Sequence, residues 1–461
     1  MTFDMSALPQ GPVRARALEA WEQAEDRETF VAELRDVVSR AEHYADATGL
    51  LGELAQAVLA SKSRFVERDA PAPFEQWGVD LDEASLQQMR EACRLPIAVR
   101  GAVMPDAHRG YGLPIGGVLA TRGTVIPYAV GVDIACRMKM TVLDVPVSAL
   151  DEDEERLIGA LRRETRFGIG ANFKKRHEHD VMDRDWSVSP VTEKFKDKAW
   201  AQLGSSGSGN HFVEFGELEF TGAAAAADFG LEAGVTYLAL LSHSGSRGTG
   251  AAVAGHYSKR AMANHPELPR ELKHLAWLDL DDEEGEEYWQ AMSLMGHYAE
   301  ANHACIHRSV ARHLSAEVAL DVENHHNFAW KEIHDGEEVV VHRKGATPAG
   351  EGVLGVIPGS MADPAFLVRG KDGAGSLSSA SHGAGRVMSR TQAKKTLDWK
   401  TANALLEERR VRLISAGLDE VPMVYKNIET VMREQSDLVE PLARFAPRLV
   451  KMAPAGERPE D

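Results

Sequence analysis

Apolar residues recur at three- and four-residue spacing through residues 13–26 and 29–48, windows rich in Ala, Glu, Leu and Arg, so the chain opens with helix over 12–68. The stretch APAPFEQW at 70–77 breaks that period with Pro71 and Pro73, and a boundary belongs near residue 70. A short amphipathic helix is expected over 81–93. Strand-like apolar runs follow at 98–103 and 125–130. Residues 150–200 are charged and helical in pattern, and 252–315 return to helix. Further strands are expected before His325 and up to His342, then a helix around 393–410. Residues 454–461 read as a disordered tail.

The apolar runs between residues 98 and 390 share an ending, a Gly-rich loop that offers a His, Cys, Asp or Arg. The sequence VMPDAHRGYGLPIGG (103–117) carries Asp106 and His108, and GVDIACRMKM (131–140) carries Asp133 and Cys136 three residues apart. QLGSSGSGNHFVEF (202–215) carries Asn210, His211 and Glu214, and LSHSGSRGTG (241–250) carries His243 and Arg247. His326, then Arg343 and Lys344, then VIPGSMADPAF (356–366), then SASHGAGRVMSRT (379–391) around His382 complete the series. One such loop is weak evidence, because a glycine turn with a surface histidine is common. Such a series in one chain, without an internal repeat behind it, indicates one site assembled from distant segments. The seven histidines of 252–315 (His256, His265, His274, His297, His303, His307 and His313) show no metal-motif spacing and read as surface or satisfied core residues.

Composition narrows the class. The chain has 461 residues, 44% hydrophobic and 26% charged, and a formal charge of −18. That balance argues against a broad basic nucleic-acid surface but not against a local basic groove. The cluster Lys174, Lys175 and Arg176 is such a local patch, solvated in the bland reading and phosphate-tracking near a site. No apolar run reaches the ~18 residues of a membrane helix, and the first residues lack a signal-peptide layout, so a cytoplasmic protein is expected. Three widely spaced cysteines, Cys93, Cys136 and Cys305, point to a ligand or nucleophile before a disulfide framework.

Asp133, Cys136, His211, His243 and His326 together exceed what one tetrahedral ion needs and suit two metals sharing a ligand. The mixed O/N/S set fits Mn, Zn, Fe or Co better than Mg or Ca. Small residues let backbone N–H groups approach phosphate, and Arg or Lys neutralise it. Phosphoryl or nucleotidyl transfer at a transition-metal pair is what these residues allow.

The segments VMPDAHRGYGLPIGG, GVDIACRM, LGSSGSGNHFVE, HSGSRG, HHNFA, HRKGAT, IPGSM and SHGAGRVMSRTQAK resemble, in order, the motifs of the RtcB family of RNA-splicing ligases. The resemblance runs from Phe74 to about Lys451. It implies an α+β fold, with mixed β-sheets flanked by helices in one large catalytic domain over 71–453, preceded by an extra helical appendage over 1–70. It also implies a GTP- and Mn(II)-dependent ligase joining RNA 2′,3′-cyclic phosphate or 3′-phosphate ends to 5′-hydroxyl ends, in tRNA splicing or RNA repair. By that resemblance Cys136 bridges two Mn ions, Asp133 and His211 complete one, and His243 and His326 complete the other. His382 becomes guanylylated. Asn210, Phe212, Glu214, Pro358, Gly359, Ser360, Gly383, Ala384, Gly385, Arg386, Tyr425 and Lys451 match guanylate contacts. Arg137, Lys174, Lys175, Arg176, Arg247, Arg343 and Lys344 are the candidate RNA contacts.

Three features depart from the family pattern. Ala135 and Arg137 flank Cys136 where glycines are usual, Pro348 stands where an arginine is frequent, and the helical appendage lies outside the family core. They bear on substrate choice, so a metal-dependent phosphatase, nuclease or nucleotidyltransferase that does not seal is the competing reading. A non-catalytic RNA-binding subunit is the third. An archease-like activator is a candidate partner, and a monomer is expected because nothing suggests an interface.

Overall fold

The computed structural model describes residues 12–24, 26–63, 68 and 70–457. The first helices are Pro12–Gln23, Arg27–Ser39, Ala41–Tyr44 and Leu50–Ser63. Asp26 caps the second, its carboxylate accepting from the Glu28 and Thr29 N–H groups at 3.2 and 3.1 Å. Leu34, Val37 and Ala41, with Leu54, Ala55 and Val58, follow the helical period and meet Ala17 in a core of their own. Among the expected tail residues, Pro454 to Glu457 form a turn, and the Glu457 carboxylate accepts from Ile169 N–H at 3.4 Å. Residues 458–461 lie outside the described residues.

The rest is α+β, built on two principal sheets. The smaller has the order Phe74–Gln76, Ala98–His108, Ile115–Thr121, Glu337–Lys344, Phe328–His334, parallel only in its first pair. Neighbouring residues on its strands enter different cores. Val103, Leu119 and Val340 face one, and Ala102, Val118, Val339 and Val341 face the other, so both sheet faces are covered.

The larger sheet runs Leu354–Ile357, Ala365–Gly370, Val439–Met452, Phe212–Phe220, Thr236–Ser244, Arg137–Leu143, Val318–His325, with Arg412–Ser415 parallel alongside Val439–Met452. Helices Glu154–Glu164 and Glu283–His313 cover one face, where Leu157, Leu161, Ile306 and Val310 pack on Phe215 and Leu240. Because the last four strands of that order are antiparallel, the start of Phe212–Phe220 and of Arg137–Leu143 lies beside the end of Thr236–Ser244 and of Val318–His325. That one sheet edge carries the site.

Several expected elements take a different form. The strand expected at 125–130 is two residues, Thr124–Val125, followed by a helical turn at Pro127–Val130. Proline at the first helical position explains the change. Asp106 and His108 sit in the Ala98–His108 strand rather than a loop. The helix expected over 393–410 is two, Arg390–Thr396 and Trp399–Glu408, because Asp398 ends one and caps the other through Thr401 N–H at 2.9 Å.

On the helix-covered face, the Arg137 guanidinium donates to Glu323 at 2.6 Å and Lys139 pairs with Asp321, both cations being almost fully buried. Removing an anion from such a group leaves an uncompensated charge. Glu323→Ala should therefore lower the unfolding free energy by about 3 kcal/mol in urea titrations, since breaking a buried pair costs more than making it gains. An Arg137→Met variant should lose less.

Candidate active site

Each donor sits at a strand terminus. His211 immediately precedes Phe212–Phe220, His243 lies one residue from the end of Thr236–Ser244, Cys136 precedes Arg137–Leu143, and His326 follows Val318–His325. In register, Phe212 and Met138 both pair with His243, and Arg137 pairs with Ser244 and His325. Adjacent strands lie about 4.8 Å apart, so the side chains meet. Two trios form, Asp133 with Cys136 and His211, and Cys136 with His243 and His326, each with its donor atoms within 4.8 Å of one another and all buried. Cys136 belongs to both.

Hydrogen-bond accounting says what the trios want. His211 Nδ1 lies 2.9 Å from the Ser206 carbonyl and His243 Nδ1 lies 3.1 Å from the Asn210 carbonyl. A carbonyl only accepts, so both rings carry their proton on Nδ1 and aim a lone pair from Nε2 into the site. There His211 Nε2 meets Asp133 Oδ2 at 3.0 Å and Cys136 Sγ at 3.4 Å, and His243 Nε2 meets Cys136 Sγ at 3.1 Å and His326 Nε2 at 3.3 Å. Burial pushes His243 down to about 3, with the nearby His211 adding to it. Burial, then the neighbouring His382, holds His326 well below its ordinary value. Acceptors outnumber hydrogens. A cation between them would bind these converging lone pairs, and the donor set fits a pair of transition-metal ions.

Backbone detail supports this packing. A Cβ on Gly245 would lie 2.1 Å from Asp133 Oδ1, so only glycine in the HSGSRG loop admits the carboxylate. Ala135, where the family pattern has glycine, takes φ 55°, a left-handed conformation costing an L-residue about 1 kcal/mol. Arg137 begins a strand instead.

His382 follows the short Ser379–Ser381 strand, its ring 4.8 Å from that of His326 between centroids. Its Nδ1 donates to Asp106 Oδ2 at 2.7 Å, and its backbone N–H reaches the same oxygen at 3.2 Å. The carboxylate fixes the tautomer and leaves a lone pair on Nε2. Gly385, with φ 76°, lets the SHGAG loop lie on this strand, where a Cβ would meet the Asp106 carbonyl at 2.0 Å. Asp106 is the residue whose part sequence reading did not assign. It stands 276 positions from His382, and no motif couples them.

Asp133, Cys136, His243, His326 and His382 line one cavity of about 890 Å³. Asn210, Phe212, Glu214, Pro358, Gly359, Ser360, Gly383, Ala384, Gly385, Arg386 and Tyr425 line it too. Arg386 donates to Glu420 at 3.2 Å and lies over the Tyr425 ring. Lys451 is the expected nucleotide contact that does not line the cavity. Val450 and Met452 do, and strand alternation turns Lys451 to the other face, where Nζ donates to the Leu161 carbonyl and Thr165 Oγ1 at 2.9 and 3.0 Å.

The expected RNA contacts divide. Lys344 lines the cavity, buried, its ammonium pushed down to about 7 by that burial. Lys174 and Lys175 are exposed, and Arg176 pairs with Asp197 over the Trp200 ring, all outside the cavity lining. Arg137 is held by Glu323, Arg343 donates bidentately to Glu332 at 2.6 and 3.0 Å, and Arg247 donates to Ser205 Oγ and the Gly168 carbonyl. These three are committed to internal partners, because a guanidinium this deep must be paired.

The family model described as tRNA-splicing ligase RtcB matches residues 88–187 and 177–452. The chain belongs to the RtcB family. RNA-splicing ligase RtcB1 of Escherichia coli is 34% identical over 400 residues, covering 80% of this chain and 94% of that protein. The tRNA-splicing ligase RtcB of Methanococcus maripaludis is 30% identical over 427 residues, covering 76% and 87%, and that of Thermococcus kodakarensis 29% over 438. The match to the RtcB family model starts beyond the helical appendage. No helix among the described residues of this RtcB chain is long and apolar enough to cross a membrane.

Glu214 gives the cavity a measurable pH signature. It is buried, and burial alone raises its carboxyl well above the ordinary value of 4.5. The folded state thus holds a proton that the unfolded chain releases, so this contribution is complete below about pH 4.5 and fades as pH rises toward the folded value. Glu214→Gln removes that loss. The melting-temperature difference between Glu214→Gln and the parent should grow in the variant's favour from about pH 4 to pH 8. A difference flat with pH would show that Glu214 does not hold its proton in the folded chain.

Proposed function

We propose that this chain is a GTP- and Mn(II)-dependent RNA ligase that joins 2′,3′-cyclic phosphate or 3′-phosphate ends to 5′-hydroxyl ends through a guanylylated His382. The observation that carries the reading is His382, oriented by Asp106, in the same cavity as two donor trios that share one thiolate. The names of the relatives support RNA as the substrate.

In this reading Asp133, Cys136 and His211 would hold one ion, and Cys136, His243 and His326 would hold the other. Bound Mn(II) supplies positive charge that stabilises the extra negative charge of a five-coordinate phosphorus. Asp106 keeps the His382 proton on Nδ1, so the Nε2 lone pair attacks the α-phosphorus of GTP and pyrophosphate leaves. Asp106 also balances the imidazolium character of the adduct. Water first opens a 2′,3′-cyclic phosphate end to a 3′-phosphate with a free 2′-hydroxyl. The guanylyl group passes to the RNA 3′-phosphate, restoring the Nε2 lone pair, and the 5′-hydroxyl oxygen, giving up its proton to solvent, then displaces GMP. Glu214 meets the donor edge of guanine, and the N–H groups of the Gly383–Gly385 loop face phosphate.

Incubation with Mn(II) and GTP labelled at the α-phosphate should give an acid-labile, comparatively base-stable adduct on the parent and none on His382→Ala. Added RNA bearing a 3′-phosphate and RNA bearing a 5′-hydroxyl should then be sealed. An adduct on the variant would place the nucleophile elsewhere. Adduct formation with end processing but no sealing would favour the non-sealing alternative.

A further inference from the structure

The rim of the cavity near Lys344 has a construction that the nucleotidyl chemistry leaves unused. In the loop that follows the Ala98–His108 strand, the Gln88 side chain closes a pair of hydrogen bonds on Gly110, Nε2 to its carbonyl at 2.8 Å and Oε1 from its N–H at 3.0 Å. Lys344 Nζ donates to the Tyr111 carbonyl at 2.5 Å. Side chains from two other elements therefore pin the loop backbone, yet the two large side chains on it are left outside. Tyr111 is 71% exposed, one of the most exposed large apolar-bodied residues among those described. Arg109 is exposed, and among the described residues none forms an ion pair with it. Both line the cavity.

Tyr111 is nevertheless held at a fixed angle. Its ring stands edge-on to His274, with centroids 5.8 Å apart, and His274 packs on Tyr128 at 4.4 Å. Lys344 Nζ lies 5.9 Å from the centre of the Tyr128 ring. An aromatic ladder thus runs from the open rim to a buried lysine beside the site. Burial, with Lys344 adding to it, lowers the His274 imidazole below its ordinary value, so the middle rung is an uncharged ring. Asp80 and Asp82 line the same cavity. Arg109 is the exposed cation of this loop, in a cavity whose lining also includes Lys344, Arg386, Arg390 and Lys426, and the chain's overall charge of −18 adds no general attraction for an anion.

A free cation two residues from a free aromatic face, on a backbone held rigid, is the arrangement single-stranded nucleic acid requires. Phosphate goes to the guanidinium and a base goes onto the ring. In a duplex each base is covered by its stacked neighbours except on the outer face of the last pair, whereas an unpaired nucleotide can turn its base onto Tyr111, and a protein segment would call for a deeper apolar pocket than an edge-supported ring provides. We propose that Arg109 and Tyr111 form a platform for an unpaired nucleotide beside the RNA end being joined, a specificity element that makes this chain prefer frayed or single-stranded ends. This rests on the ligase reading for the identity of the nucleic acid.

The test is fluorescence anisotropy of the full-length protein with two labelled probes, a single-stranded RNA ending in a 3′-phosphate and a blunt hairpin of the same composition. Tyr111→Ala should weaken single-strand binding by between about fivefold and a hundredfold, the span of one base–aromatic stack, and leave hairpin binding alone. Tyr111→Phe keeps the ring and should bind like the parent, which separates lost stacking from a disturbed fold. Arg109→Ala should weaken binding at low salt and reduce the slope of log affinity against log salt by roughly 1. Equal single-strand affinity in the parent and Tyr111→Ala overturns the proposal, as does equal loss on both probes. Binding is read here without adduct or sealing. A parent that binds through Tyr111 but forms no GMP adduct contradicts the ligase reading and keeps the platform. A parent that forms the adduct while Tyr111→Ala keeps full affinity does the reverse.

Discussion

The structure depends on one electrostatic fact, that several lone pairs converge on a buried point without enough hydrogens to separate them. Ser206 and Asn210 take the Nδ1 protons of His211 and His243, so His211 presents Nε2 to the Asp133 carboxylate and the Cys136 sulfur, and His243 presents Nε2 to the same sulfur. Such an arrangement costs several kcal/mol unless something positive occupies it. The surrounding fold holds the groups there regardless. Four antiparallel strands fix the donor positions by register, glycine at 245 admits Asp133, and a left-handed Ala135 turns the chain into Cys136. The cost of holding acceptors together in the free protein is the reason the site favours cations.

Much of this was legible in the sequence, for a physical reason. A strand that ends at a site must hand its last residue to a turn, and turns near a ligand need small residues, so each donor comes wrapped in Gly and Ser. That signature picks out residues that the fold brings together, Asp133, Cys136, His243, His326 and His382 on one cavity and His211 beside Asp133 and Cys136. The helical period of residues 12–63 was equally readable, because it is local.

What escaped was whatever depends on register or on distant partners. Lys451 belongs to a motif-like segment, yet a period of two turns it away from the cavity that Val450 and Met452 face. Arg137, Arg247 and Arg343 look like phosphate ligands on paper, and each is sequestered by a group that sequence proximity does not reveal. Asp106 escaped for the opposite reason, since a carboxylate in a strand acquires its meaning only from the ring laid against it. Charge on a side chain is visible in sequence, whereas its partner is not.

The shared Cys136 sulfur is the central claim of the proposed function, because it would turn two ordinary trios into one two-ion centre. Crystals grown with Mn(II) and measured for anomalous scattering above the manganese edge test it without reference to activity. Two peaks should flank Cys136 Sγ, one in contact with Asp133 and His211 and the other with His243 and His326. One peak alone, or two that leave Cys136 untouched, would contradict the bridging geometry.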